Sequence, residues 1–342
     1  MSILSICLSP GVQRTVVAGA LALGEVNRLR SVLLDVGGKG VDVCRVLQRL
    51  GKDAQCLAQG GENADEILAL AAQEGLNLRL VPSSGRLRTC TTIVEMNTDG
   101  GRRVTELVEP SAPVDAACVE KMTQAIRQAL PHSSALVIAG SMAPGFPPAY
   151  QAQLAAWARH QGVPVFVDVQ GAALREVIDE RPALVKINLA EFAATFLGDG
   201  FCGGEQSGAL AEPVLEDGLQ EALRKVSRAC PVSFVLTRGP NSVLLLSAGE
   251  LRTWPVTPLP ADEILSPIGS GDAFLAALLA GWLDVAEGSK AAPGLDRVER
   301  VVEFAIACAQ SNARTLRPGY LEDGFCVEAD RIRGYTHPPC KD

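Results

Sequence analysis

Four short stretches, "LVIAG" (residues 136–140), "VFVDV" (165–169), "LVKIN" (184–188) and "SFVLT" (233–237), are apolar almost throughout instead of alternating. Strands that read this way are buried on both faces, as in a parallel sheet lying between two layers of helices. Helix-period segments at residues 150–161 and 219–229 fall between such runs and supply crossovers. The expected fold is therefore α/β, with a mainly parallel central sheet and helices on both faces. Two pairs of segments break the pattern. "RTVVAGALAL" with "LRSVLLDV", and "RTCTTIVEM" with "RRVTELVEP", read as strands of a small separate sheet, the second pair joined by the turn "NTDGG". Residues 198–216, rich in glycine and polar groups, read as a surface loop, and the chain after Tyr320 is weakly patterned.

The 342 residues are 47% hydrophobic and carry a formal net charge of −8, with lysine and arginine dispersed. That balance gives no footprint for nucleic acid, and an anionic substrate requires a local basic pocket. The ten cysteines form no C-x-x-C pair and the histidines number three, so no zinc spacing emerges. The start, "MSILSICLSPG", lacks the basic region and apolar length of a leader, and no apolar run with suitable flanks reaches membrane-spanning length. The expectation is a cytoplasmic chain with no membrane partner.

Three stretches carry chemistry. "VGGKGVDVCRVLQRLG" sets Lys39 in a glycine turn ahead of a helical pattern that Gly51 stops. Such a turn binds an anion through backbone amides plus a point charge, or is simply a turn. It is neither a P-loop nor a dinucleotide fingerprint. "KINLAEF" places Lys186, Asn188 and Glu191 just past a buried strand, where ligands of open α/β sheets bind; Asn188 is equally a helix cap. "SPIGSGDAFLAALLAGW" sets Asp272 at the mouth of an apolar run behind Gly269 and Gly271. Asp272 either caps a helix or accepts a proton beside an anion held by bare amides.

Taken in order, "SPGVQRTV", "GEVNR", "GGKGVDVCRVLQRLG", "RTCTTIVEMNTDGGRRVTELVEP", "GSMAPGFPPAY", "VDVQGAAL", "KINLAEF" and "IGSGDAFLAALLAG" resemble the ribokinase/PfkB carbohydrate kinases over residues 9–319. The nearest branch is that of the tagatose-6-phosphate kinases and 1-phosphofructokinases. The resemblance implies a ribokinase-like domain over residues 1–320, a lid from about residues 12–36 and 87–110, and a tail at 321–342. It implies ATP and Mg²⁺, with Asp272 as general base and Gly269, Ser270 and Gly271 presenting amides to the transferred phosphoryl group. Gln13, Gly38, Lys39, Gly40, Asp42 and Arg88 fall on sugar-binding positions, with Lys39 and Arg88 on those that hold a substrate's own phosphate. Lys186, Asn188, Glu191, Thr237, Gly239 and Asn312 fall on ATP-side positions, Glu191 near the metal through water. Lids of this family often pair between subunits, which implies a possible homodimer.

The match departs from the family at several positions. Gln13 stands where the first family motif has Asp, and Asp42 where the glycine motif has Asn, so amide and acid have traded places. Ser270 replaces Ala, Ile187 replaces Pro, and Ser242 replaces Gly. The expected activity is ATP-dependent phosphorylation of a ketohexose phosphate: tagatose 6-phosphate, fructose 6-phosphate or fructose 1-phosphate. The alternatives are a kinase of an unphosphorylated sugar or nucleoside, and a sugar- or nucleotide-binding homologue without turnover.

Overall fold

The first segment, β1 (Ser2–Cys7), lies well inside the main sheet, and its side chains explain why. Ile3 and Cys7 enter the core on one face, and Leu4 and Ile6 enter the core on the other, so both faces of the strand need covering. The computed structural model describes residues 1–96, 101–198, 217–288 and 295–325. After β1 the chain leaves for the small sheet as β2 (Gly11–Ala18) and β3 (Ser31–Gly37), then returns in α1 (Lys39–Arg49). The body continues with β4 (Ala54–Gly60), α2 (Ala64–Glu74) and β5 (Leu78–Pro82). A second excursion, β6 (Arg88–Met96) and β7 (Arg102–Val108), completes the small sheet.

The remainder alternates as the apolar runs foretell. It comprises α3 (Ala116–Ala129), β8 (Ser133–Ala139), α4 (Tyr150–His160), β9 (Val165–Asp168) and α5 (Gly171–Ile178). Then come β10 (Leu184–Asn188), α6 (Leu189–Phe196), α7 (Asp217–Ala229) and β11 (Phe234–Thr237). A hairpin, β12 (Val243–Ser247) and β13 (Glu250–Trp254), precedes α8 (Ser270–Gly288) and α9 (Leu295–Ala313). The main sheet has nine strands in the order β13-β12-β11-β10-β9-β8-β1-β4-β5, parallel except for the β12–β13 edge. Apolar residues of α1, α2, α8 and α9 cover one face, and those of α3 to α7 the other. The small sheet has the order β3-β2-β6-β7. The "NTDGG" turn (residues 97–101), the 198–216 loop and the tail lie largely outside the described residues.

Parallel strands end together, so β8, β9, β10 and β11 deliver their last residues to one edge of the body. The α1 helix meets that edge by lying directly on β1. A Cβ on Gly40 would stand 2.4 Å from the Ile6 carbonyl oxygen, and Ser5 Oγ donates to the Gly40 carbonyl at 2.6 Å. Gly40 therefore belongs to the packing of α1 on β1 and does not line the cavity described below. Gly40→Ala is expected to destabilise the fold by about 2 kcal/mol. Urea titration should show a lower midpoint with an unchanged slope.

Candidate active site

The lid and the carboxyl edge of the main sheet enclose a cavity of about 870 Å³. Gln13, Arg88, Cys90 and Glu106 reach it from the lid, and Gly38, Lys39 and Asp42 from the start of α1. The sheet edge contributes Asp168, Lys186, Asn188 and Thr237, and Glu191 and Gly239 follow their strands. Gly269, Ser270, Gly271 and Asp272 close the floor.

The Gly269–Asp272 turn settles whether Asp272 is a cap. Asp272 sits in the first turn of α8, 7% exposed, and its carboxylate makes no hydrogen bond among the described residues. A capping carboxylate accepts from the amides ahead of it; this one does not, and its Oδ1 is buried without a partner. Burial pushes its acidity well below that of an ordinary carboxylic acid, and nearby Asp42 and Asp168 push the same way against Lys39 and Lys186. The turn needs its glycines. Gly269 has φ +85°, and a Cβ there would stand 2.5 Å from the Gly319 nitrogen; one on Gly271 would stand 2.7 Å from Lys186 Nζ. The Ser270 and Asp272 amides donate to the carbonyls of Pro267 and Gly269 at 3.2 and 3.1 Å, leaving the Gly271 amide without a partner among the described residues.

Asp168 organises the cations. It ends β9, is 1% exposed, and accepts from Lys39 Nζ at 3.1 Å and Lys186 Nζ at 2.8 Å. Burial opposes its charge, yet the two ammonium groups hold its pKa below the usual carboxylate value. Lys39, 3.9 Å from Glu191 Oε1, is shifted upward: burial opposes its charge, and Asp168, Asp272 and Glu191 outweigh it. In "VDVQGAAL" nothing but its place marks Asp168. The available signal was an acid at the end of an otherwise apolar buried strand, which requires a cation.

Asn188 is a cap as well as a cavity residue. Its Oδ1 accepts the Glu191 amide at 2.7 Å, and Glu191 Oε2 accepts the Asn188 amide at 3.2 Å, a reciprocal capping box. Gly239 has φ +58°, with open space where a Cβ would be. Ile187 is buried in the core, and Ser242 does not line the cavity; it accepts from Arg238 at 2.9 Å.

At the sugar end, Gln13 Nε2 donates to Thr92 Oγ1 at 2.9 Å, and Asp42 Oδ1 accepts from Arg45 at 2.5 Å. Burial pushes the Asp42 pKa up to about 7 against Arg45, with Asp35 and Glu74 adding to the rise. Gly38 caps α1 with φ +126° against Cys7 Sγ. Arg88 donates to the Ser9 carbonyl at 3.2 Å. Glu106 is raised by burial, against the pull of Arg88 and Lys39. Asn312 does not line the cavity. It is fully buried, accepts from Ser270 Oγ at 3.2 Å, and donates to the carbonyls of Arg317 and Tyr320 at 3.1 and 2.9 Å.

This layered sheet with a small lid over its carboxyl edge is the ribokinase-like fold, and three solved structures align with it over nearly their whole lengths. A possible 1-phosphofructokinase from Thermotoga maritima is similar at TM-score 0.74 and 19% identity, covering 94% of each chain. Phosphofructokinase-2 from Escherichia coli, solved with substrates and products, is similar at TM-score 0.73 and 21% identity, covering 92% of this chain and 93% of that one. Ribokinase from Giardia lamblia is similar at TM-score 0.68 and 15% identity, covering 92% and 93%. Residues 13–319 match the pfkB family carbohydrate kinase family. The chain belongs to that family and is a carbohydrate kinase, for which ATP is the implied co-substrate. Among the described residues no helix is long and apolar enough to cross a membrane.

The bare Asp272 carboxylate has a thermodynamic signature. Its folded-state pKa lies above its unfolded value, so the fold loses stability as pH rises and the unfolded chain ionises more readily. Asp272→Asn removes that titration. Its melting temperature relative to wild type is expected to climb as the pH rises from the ordinary carboxylate range in a thermal scan.

Proposed function

We propose that the protein transfers the γ-phosphoryl group of ATP to a hydroxyl of a ketohexose phosphate, with tagatose 6-phosphate, fructose 6-phosphate and fructose 1-phosphate as candidates. The observation that carries this reading is the unpartnered Asp272 carboxylate beside two lysines anchored on one buried acid. The hydroxyl oxygen bonds to the γ-phosphorus as the bond from that phosphorus to the β,γ-bridging oxygen breaks. The hydroxyl proton passes to Asp272, and ADP leaves. Burial raises the proton affinity of that carboxylate, which strengthens it as a proton acceptor.

Catalysis of this kind consists of positioning and charge neutralisation. Lys186 and Lys39 stand where negative charge gathers, and the Gly271 amide at the start of α8 adds a donor. Lys39 sits on Asp168 and near Glu191, so the reading gives it the transferred group and leaves Arg88 for the substrate's own phosphate. The lid keeps water, a competing acceptor, from the cavity. No cluster of three or more metal-ligating side chains occurs among the described residues. That suits Mg²⁺, which keeps several waters and binds through one or two carboxylates plus substrate phosphates. Glu191, whose Oε1 is left free by the capping box, is the carboxylate to hold it, partly through water. The ion would neutralise charge on the ATP phosphates.

One observation favours a second reading, a kinase of an unphosphorylated sugar or nucleoside. Glu106 already offers Arg88 a counter-charge within the cavity. ATP consumption with Mg²⁺ should be measured on the three phosphosugars and their unphosphorylated parents. Turnover of a phosphosugar is expected, with Asp272→Asn lowering kcat by about 10²- to 10⁴-fold. Arg88→Ala is expected to raise the KM of the phosphosugar about ten- to a hundredfold. Turnover of a free sugar alone decides for the second reading.

We also propose that the lid pairs with the lid of a second copy. On the edge strand β3, Val32 and Leu34 are 45% and 43% exposed two residues apart, and thus on one face. Leu34→Asp is expected to shift the sedimentation coefficient from a dimer's to a monomer's.

A further inference from the structure

The segment that follows α9, residues 317–321, crosses between the two halves of the site. Gly319, with φ +71°, is wedged there: a Cβ on it would stand 2.8 Å from Cα and Cβ of Asp42. Its amide nitrogen is the atom that a Cβ on Gly269 would meet at 2.5 Å. The strap therefore separates the helix start that carries Asp42 from the turn that carries Asp272, with backbone in contact on both sides. Asn312 holds the strap by two of its carbonyls.

Arg45 ties the strap to the sugar end. It is 4% exposed, and its five N–H groups are all engaged. Nε donates to Glu74 Oε2 at 2.6 Å, and Nη1 to Asp42 Oδ1 at 2.5 Å and the Pro318 carbonyl at 3.1 Å. Nη2 donates to the Val36 carbonyl at 2.6 Å and Glu74 Oε1 at 3.4 Å. The guanidinium lies 4.9 Å from the centre of the Tyr320 ring, and Tyr320 is fixed by donating to Asp35 Oδ1 at 3.0 Å. Five hydrogen bonds to four residues, on three elements and a strap, hold Asp42 at Oδ1, while its Oδ2 has no partner among the described residues and Asp42 lines the cavity.

We propose that Arg45, steadied by Tyr320, is a positioning residue for the acceptor sugar: it fixes Asp42 so that one carboxylate oxygen accepts a second sugar hydroxyl beside the one presented to Asp272. The inference rests on the kinase reading above. It accounts for the exchange of amide and acid. Gln13 gives a donor to Thr92 and keeps an acceptor, Asp42 gives one oxygen to Arg45 and keeps the other, so both positions face the sugar as acceptors.

The test is steady-state kinetics of Arg45→Lys and Tyr320→Phe on the acceptor panel, with wild type in parallel and melting temperatures recorded. A lysine keeps the charge but has three donors and no fork, so it cannot span Asp42, Glu74 and two carbonyls. Arg45→Lys is expected to raise the acceptor KM about tenfold or more, with ATP KM and saturated kcat within about twofold of wild type. Loss of the fork also weakens the cation opposing Asp42, while Asp35 on β3, Glu74 on α2, Asp272 on α8, and Arg317 and Tyr320 on the strap stay in place. The acid limb of acceptor kcat/KM should therefore move to higher pH. Tyr320→Phe keeps the ring and loses only the hydroxyl, and should raise the acceptor KM about threefold.

A lower melting temperature with unchanged acceptor KM, or acceptor and ATP KM rising together, overturns the proposal. If Arg45→Lys does not fold, an unchanged acceptor KM in Tyr320→Phe overturns it. A wild type that turns over no acceptor of the panel overturns the proposed acceptor class instead, and this inference with it.

Discussion

Asp168 holds two lysines that come from distant parts of the chain, one at the start of α1 and one in β10. A carboxylate buried at the end of a parallel strand is tolerable only with its charge matched, and buried Lys186 in turn needs an anion. The three groups thus specify one another, and in doing so draw α1, β9 and β10 to a common edge. Everything else in the cavity is placed relative to this unit. Glu191 stands beside Lys39, Gly271 has no side chain because Lys186 occupies that space, and Asp272 lies within the field of both cations.

Against that satisfied triad, Asp272 is left unsatisfied. Its carboxylate has burial without hydrogen bonds, and like-charged neighbours on one side. Such a group is a cost to the fold and a resource for proton transfer, the usual trade at sites that perform chemistry. The surrounding glycines serve the same end. They let the strap, the turn and Lys186 approach each other more closely than any side chain would permit.

Much of this was legible in the residues. The apolar runs foretold the parallel strands within three residues, and the strand-like pairs foretold the small sheet, because those signals lie within a single element. The cap at Asn188 was legible for the same reason; that Glu191 completes it as a capping box is what the structure adds. Gly40 lies within the "GGKG" motif and Asn312 in a stretch that resembles an ATP-side loop. The structure gives them packing and strap-holding roles instead, which depend on contacts with Ile6 and Tyr320 that no local pattern records.

The sequence by itself determined the class of fold, the order of its elements and the short stretches that carry chemistry, since hydrophobic period and turn chemistry act over a few residues. Only the tertiary structure decided which of two roles each stretch plays. Asp272 is not a cap because the fold leaves its oxygens facing a cavity, and Asp168 matters because Lys39, 129 positions away, folds onto it. Asp42 is bound to the far end of the chain through Arg45 and Pro318, 273 positions apart. Charge pairing and close packing act through space, and their partners are chosen only when the chain has closed on itself.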